Sequence, residues 1–279
     1  MLESIHTQNI LITGCSSGIG KTTAKVLKDR GYRVFATARK REDVDQLLRQ
    51  GFESVQLDLA SSNSINSAVT EISEKTGGRI DALFNNGAFG QPGAVEDLSR
   101  DVLRTQFETN LFGTHELTNR VIPIMRSQGH GRIIYNSSVL GFVAMKYRGA
   151  YNASKYALEG LADTLRLELD GTNIQIMLIE PGPILSKFRE NAHQLFERNI
   201  DASHSVHSTA YKHIVERLKK EGPAVPFTLP AEAVADKVVH ALEAPKPKIR
   251  YYVTFPTYLF AVLRCILPWR TLDWTLKKV

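Results

Sequence analysis

Short runs of β-branched and aromatic residues alternate with longer amphipathic stretches along the whole chain, and that alternation leaves few folds open. Residues 9–13, 33–37, 54–57, 82–85, 132–137, 174–180 and 250–254 read as strands. Most are apolar at successive positions, as in strands covered by helices on both faces. Between them, 21–30, 43–50, 64–75, 101–127, 151–169 and 231–242 read as helices. Gly31, Gly51, Gly77 and Gly171 fall where helix C-terminal caps are wanted. The pattern predicts an α/β fold, a doubly wound parallel sheet of the Rossmann type with right-handed crossovers. No linker or repeat interrupts it, so a single domain over 1–279 is the economical reading. The segment 186–229 departs from the rhythm, with two helical patterns between Pro-rich joints. An insertion there, after the sixth strand, is placed to cover the carboxyl ends of the strands, where such sheets bind ligands.

The first strand runs into Thr13-Gly14-Cys15-Ser16-Ser17-Gly18-Ile19-Gly20 and then a helix. Glycines allow a tight turn and close backbone approach, so a pyrophosphate can sit on the helix N-terminus. Cys15 beside it reads as a small packing residue, although helix amides could lower its pKa.

Further along, Tyr151 and Lys155 stand one helical turn apart, thirteen residues beyond Ser138. At i and i+4 the phenol and the ammonium share a helix face. A nearby ammonium stabilises phenolate, so the Tyr151 pKa is expected to fall from about 10 toward neutrality. Ser138 could hold a carbonyl oxygen beside it. Of the nine tyrosines, only Tyr151 has a lysine four residues on.

Together, Gly-x-x-x-Gly-x-Gly, the Ser138/Tyr151/Lys155 spacing and Asn110 in Glu-Thr-Asn-Leu-Phe-Gly resemble the short-chain dehydrogenase/reductase family, over residues 9 to about 254. Within it, the glycine loop and the Ala-Thr-Ala-Arg strand end resemble the 17β-hydroxysteroid dehydrogenase-like, retinol dehydrogenase-like and aldehyde reductase members. The resemblance implies that Tyr151 gives or takes the proton, Lys155 lowers its pKa and binds the nicotinamide ribose, and Ser138 orients the substrate. Asn110 would hold a water linking Lys155 to solvent. It also implies cofactor contacts from Gly14, Ser16, Ser17, Gly18, Ile19, Gly20, Asp58, Leu59, Asn85, Gly87, Pro181, Gly182, Ile184 and Ser186. Two departures stand out. Asn85-Asn86-Gly87-Ala88 exchanges the last two residues of the family's Asn-Asn-Ala-Gly, and Ser186 stands where the family has Thr.

Charge bears on the cofactor. Enzymes of this fold that prefer NAD place an acidic residue at the end of the second strand. Here the chain reads Ala38-Arg39-Lys40-Arg41, with no carboxylate until Glu42. A guanidinium pairs with a 2′-phosphate through parallel hydrogen bonds, and Ser17 could add a hydroxyl. NADP(H) is therefore expected, with Arg39 as the reader.

The net charge of +6 comes mostly from scattered basic residues, which argues against a nucleic-acid surface. Cys15 and Cys265 lie far apart without metal-ligand spacing, and the opening residues carry no leader pattern, so a reduced, cytoplasmic protein is expected. His193, His204, His207 and His213 read as a scattered set rather than a metal site. The tail at 255–279 has a ten-residue apolar run broken by Arg264, too short to span a bilayer. Packing on the body or on a partner subunit is favoured for it. A peripheral membrane contact through Trp269, Trp274, Arg270, Lys277 and Lys278 is the second reading. Phe142, Val143, Met145, Leu185, Phe188, Leu195 and Phe196 are candidates for a lipophilic pocket.

The leading expectation is an NADP(H)-dependent enzyme interconverting a lipophilic aldehyde or ketone and its alcohol, as a homodimer or homotetramer by family analogy. A non-catalytic NADP(H)-sensing protein is the alternative, against which stand both Tyr151 and Lys155. Sugar-nucleotide epimerisation fits less well, because no second domain is visible.

Overall fold

In the computed structural model, residues 7–278 are described; positions 1–6, the first part of the stretch read for a leader, lie outside the described residues. Seven strands form one parallel sheet: β1 (Asn9–Ile12), β2 (Arg33–Ala38), β3 (Glu53–Gln56), β4 (Ala82–Asn85), β5 (Gly131–Asn136), β6 (Ile174–Glu180) and β7 (Arg250–Tyr252). Their order is β3-β2-β1-β4-β5-β6-β7. Strand order therefore reverses direction between β1 and β4, which opens a crevice at their carboxyl ends.

Side chains alternate across the pleat and divide the core in two. Ile10 and Ile12 of β1 pack with Ala24 and Leu27 of α1 (Gly18–Asp29), with Val44 and Leu47 of α2 (Arg41–Arg49) and with Val234 and Val238 of α9 (Glu232–Glu243). Leu11, between them, faces Ile65 and Ile72 of α3 (Ser62–Thr76), Leu117 of α5 (Thr114–Gln128) and Leu158 of α6 (Gly149–Glu168). Both faces are thus buried, which is why the strands read as continuous apolar runs. The four glycines expected at helix ends all adopt positive φ.

The long helix expected over 101–127 is present as one continuous helical run, α4 (Arg100–Phe107), a π turn (Glu108–Gly113) and α5, so the π turn is the only departure. At the end of that turn Gly113 packs so closely on Leu59 that an added Cβ would collide with its carbonyl oxygen. The last strand is shorter than expected because α10 (Phe255–Ile266) starts just beyond it.

The insertion carries α7 (Phe188–Asn199) and α8 (Ser208–Lys219), and its two ends are joined by the bridge between Ile184 and Leu229. In the tail, Phe260 of α10 packs on Val139, Leu140, Phe142 and Val143, and Leu272 of α11 (Trp269–Leu276) is buried too. The opposite face of these helices leaves Tyr258, Val262, Ile266, Trp269 and Trp274 exposed. No helix among the described residues is long and apolar enough to cross a membrane.

Candidate active site

The glycine loop lies where β1 meets α1, at the reversal of strand order. Gly14 has φ +72°, and a Cβ there would fall 2.8 Å from the Gly87 Cα. A Cβ on Gly20 would collide with the Gly14 carbonyl oxygen. The loop is thus folded tightly on itself and on the end of β4. The Thr13 hydroxyl accepts from the backbone N–H groups of Asn86 (2.9 Å) and Gly87 (2.7 Å), and the Asn86 amide donates to the Thr13 carbonyl at 2.8 Å. The exchange of Gly87 and Ala88 is therefore accommodated at this seam, where the Gly87 Cα meets Gly14.

Ser17 caps α1 in an extended conformation without a side-chain bond to the helix, and the first turn holds no acidic residue. Ser16 is exposed, while Ser17, Gly18 and Ile19 are half-buried. A helix N-terminus with free amides and no carboxylate is suited to an anion. Cys15 is fully buried, and burial pushes its thiol up to about 12, so it is a packing residue.

At the end of β2, Arg39 is exposed and has no ion-pair partner among the described residues, whereas Arg41 pairs with Asp45 at 3.2 Å. The Asp58 carboxylate accepts from the Ala60 N–H at 3.0 Å, and the buried Leu59 borders Gly87. The Asn85 amide donates to Thr118 on α5 at 3.0 Å, while its buried Oδ1 has no hydrogen-bond partner among the described residues. Beyond β6, the Pro181 carbonyl accepts from the Val139 N–H at 2.8 Å, and Gly182 lies against Thr254. Ile184 closes the insertion, and Ser186 approaches the loop: a Cβ on Gly18 would be 3.1 Å from its Cβ. Glycine loop, free helix end and unpaired Arg39 together form a cradle that fits a phosphate-bearing dinucleotide.

Ser138 stands just past β5, and its hydroxyl accepts from the Leu140 N–H at 3.1 Å. The same hydroxyl donates to the Pro181 carbonyl at 3.5 Å, and Tyr151, on the first turn of α6, lies near Ser138 and meets the Phe188 ring edge-on at 5.3 Å. One turn on, the buried Lys155 donates to the Asn136 carbonyl at 2.7 Å, with its ammonium 5.6 Å from the Tyr151 ring centroid. The expected fall of the Tyr151 pKa is not found. Burial pushes the phenol up to about 12, against opposing pulls from Ser138 and Arg148. Burial also weakens the charge meant to lower it, bringing Lys155 down to about 8.

Asn110 sits inside the π turn. Its amide brackets Phe89, accepting from the N–H at 3.1 Å and donating to the carbonyl at 2.9 Å, and also reaches Ser154 at 3.2 Å. The side chain is thus committed to protein groups.

Beside Tyr151 opens a cavity of about 350 Å³. Of the residues expected to line it, only Met145 and Phe188 do so. Phe142 and Val143 are core beneath α10, and Phe196 packs with Tyr211 and Ile200. Leu185 and Leu195 lie outside the lining, and Leu185 is exposed. Sequence reasoning missed Asn86, the stitch between loop and sheet. It also missed Arg148 and Arg217 in the cavity wall, for which nothing in their neighbours gives a signal.

Each histidine of the insertion has a carboxylate neighbour: His193 with Glu197, His204 with Asp201, His207 with Glu96 and His213 with Glu216. These are separate pairs, and no group of three metal-ligating residues occurs among the described residues.

The family model for short chain dehydrogenases matches residues 8–195. The chain belongs to the short-chain dehydrogenase/reductase family. It is 43% identical over 269 residues to the oxidoreductase YbbO of Escherichia coli strain K12, covering 96% of this chain and 94% of that one. With human 17-beta-hydroxysteroid dehydrogenase type 1 it shares 32% identity over 261 residues, 88% of this chain and 77% of the relative. Among solved structures, actinorhodin polyketide ketoreductase with NADPH is 27% identical with a TM-score of 0.73, covering 88% and 95% of the two chains. Other structures of the fold hold NADP or NAD. A short-chain dehydrogenase/reductase of this kind is an oxidoreductase.

Proposed function

We propose that this protein interconverts a lipophilic aldehyde or ketone and its alcohol with NADP(H), and that Tyr151 is its general acid and base. The observation that carries the reading is Tyr151 on the wall of a cavity, near Ser138 and one helical turn before the buried Lys155. Bound in the cradle, a nicotinamide cofactor supplies or accepts the hydride. Gly14, Ser16, Ser17, Gly18, Ile19 and Gly20 would hold its pyrophosphate. Arg39 would pair with a 2′-phosphate, Asp58 and Leu59 would border the adenine, and Asn85, Gly87, Pro181, Gly182, Ile184 and Ser186 would complete the groove.

The chain's own groups then do the proton work. Ser138 donates to the carbonyl oxygen and holds it beside the phenol. Tyr151 gives that oxygen its proton during reduction and takes it back during oxidation. Lys155, fixed by the Asn136 carbonyl, keeps a positive charge under the phenol and binds ribose hydroxyls. A phenol pushed up by burial is protonated at neutral pH and so is able to donate its proton during reduction. Asn110 clamps Phe89 and so fixes the loop after β4. The protein is expected to work as a homodimer or homotetramer within a single domain in the cytoplasm.

The test is NADPH oxidation by purified protein across medium-chain aldehydes, retinal and ketosteroids. Tyr151→Phe should lower kcat roughly 10²–10⁴-fold; equal activity of the two proteins would remove Tyr151 from the chemistry. Arg39→Ala should abolish a preference for NADPH over NADH, and an unchanged ratio would sink the charge argument. NADPH binding without turnover of any carbonyl would favour the cofactor-sensing alternative.

A further inference from the structure

The cavity beside Tyr151 differs in one respect from a simple lipophilic pocket. Its wall carries Lys146, Arg148, Arg189, Arg217, Lys277 and Lys278 and, among the described residues, no Asp or Glu. These come from the loop before α6, from α7, from α8 and from the end of the tail, so the charge converges from several elements. Met145, Phe188, Ala192, Ile214 and Leu218 supply the apolar remainder.

The six cations are not equivalent. Arg189 is structural: its guanidinium donates to the carbonyls of Arg217 and Lys220, at 3.2 and 2.8 Å, and to that of Gly222. It ties α7 to the end of α8. The guanidinium groups of Arg148 and Arg217, by contrast, make no hydrogen bond or ion pair among the described residues. They repel each other, since burial first and then the Arg217 charge bring Arg148 down to about 10. Arg217 is lowered likewise by burial and then by Arg189. Arg148 is half-buried and Arg217 is exposed, so it is chiefly at Arg148 that an unpaired guanidinium is costly unless an anion completes it.

Arg148 is held firmly in that place. It is the residue before α6, three positions from Tyr151. Its backbone bridges to Gly93, and the neighbouring Tyr147 adopts a left-handed φ of +62°. Such strain in a non-glycine residue persists only where the surroundings enforce it. The first turn of α6 contains no acidic residue either, so the helix end adds to the positive field.

We propose that the carbonyl substrate carries an anionic group, a carboxylate, sulfonate or phosphate, which Arg148 and Arg217 bind in the cavity beside Tyr151. This rests on the oxidoreductase reading above and narrows its substrate class to amphiphilic carbonyl acids. Arg148 and Arg217 would set specificity, and the apolar lining would take the hydrocarbon part.

Two arms test it. In turnover, aldehyde acids with three to nine methylenes between carbonyl and carboxylate are compared with their methyl esters. The best acid should exceed its ester by about tenfold or more in kcat/KM, the scale of a charge-assisted hydrogen bond. Arg217→Glu should bring that ratio to one or below. Esters as good as acids in the unmodified protein overturn the proposal while leaving carbonyl reduction standing.

In binding, decanoate and decanol are titrated calorimetrically into the protein with no turnover required. Decanoate should bind about tenfold tighter, with the margin shrinking as salt rises and vanishing in Arg217→Glu. Equal affinities, or a margin insensitive to Arg217, overturn the anion site. Tight decanoate binding without reduction of any aldehyde would keep the site and discard the oxidoreductase reading.

Discussion

Lys155 is buried at a cost in stability, a cost that the proposed proton-transfer role would account for. It is fully buried, and burial brings its pKa from 10.5 down to about 8, partly offset by the Glu159 charge. Because the folded value lies below the unfolded one, the unfolded chain binds more protons between pH 8 and 10.5. Stability from this group therefore rises with pH through that window, and the full penalty is present below it. Replacing Lys155 with Met should raise Tm at pH 7 by roughly 5 °C while abolishing turnover. The gain should shrink toward zero as the melting series approaches pH 10.5. A lower Tm at pH 7 would instead mean that the bond to Asn136 outweighs the burial cost. The placement of Lys155 beside Tyr151 was legible from their spacing, because helix periodicity places residues without tertiary knowledge. Its environment was not. Glu159, Glu180 and Asp163 converge on Arg250 behind it, and burial raises the Glu159 and Glu180 carboxyls. No spacing rule connects positions so far apart in the chain.

At the scale of elements, the strands and most helices were legible to within a few residues, since both faces of a parallel sheet demand apolar side chains. The π turn was not, because Arg100–Phe107, the turn and Thr114–Gln128 share one continuous helical pattern. The turn ends where Gly113 meets the Leu59 backbone, a close approach invisible from local sequence. Two glycines separate these causes. Gly113→Ala would drive its Cβ into the Leu59 carbonyl oxygen, and should cost about 3 kcal/mol or more, with loss of activity as the Asn110 clamp on Phe89 shifts. Gly160, exposed in the middle of α6 with nothing within 4 Å of where an alanine methyl would sit, should respond in the opposite sense. Gly160→Ala is expected to stabilise by about 0.5–1 kcal/mol through helix propensity, read by chemical denaturation. Equal responses at the two positions would show that close approach is not what shapes the turn.

Over the whole molecule, the cradle was legible because its parts follow strand ends in chain order, and each strand end carries its own local signature. The cavity was not, since its wall is assembled from the loop after β4, the start of α6, both insertion helices and the tail. The tail in turn has two faces. Phe260 and Leu272 are buried against the body, as protein packing requires. Tyr258, Val262, Ile266, Trp269 and Trp274 are large apolar side chains left exposed on the same two helices. We expect this face to be covered by a second copy of the chain. The two tryptophans, 74% and 60% exposed, are the only ones in the sequence, so intrinsic fluorescence reports on the tail alone. Raising concentration should move light-scattering mass to the dimer or tetramer and shift the emission to the blue. Val262→Asp with Ile266→Asp should keep the protein monomeric with red emission, at little cost to folding because both side chains are exposed. A monomer whose emission shifts only on adding anionic phospholipid vesicles would assign the face to a membrane surface instead.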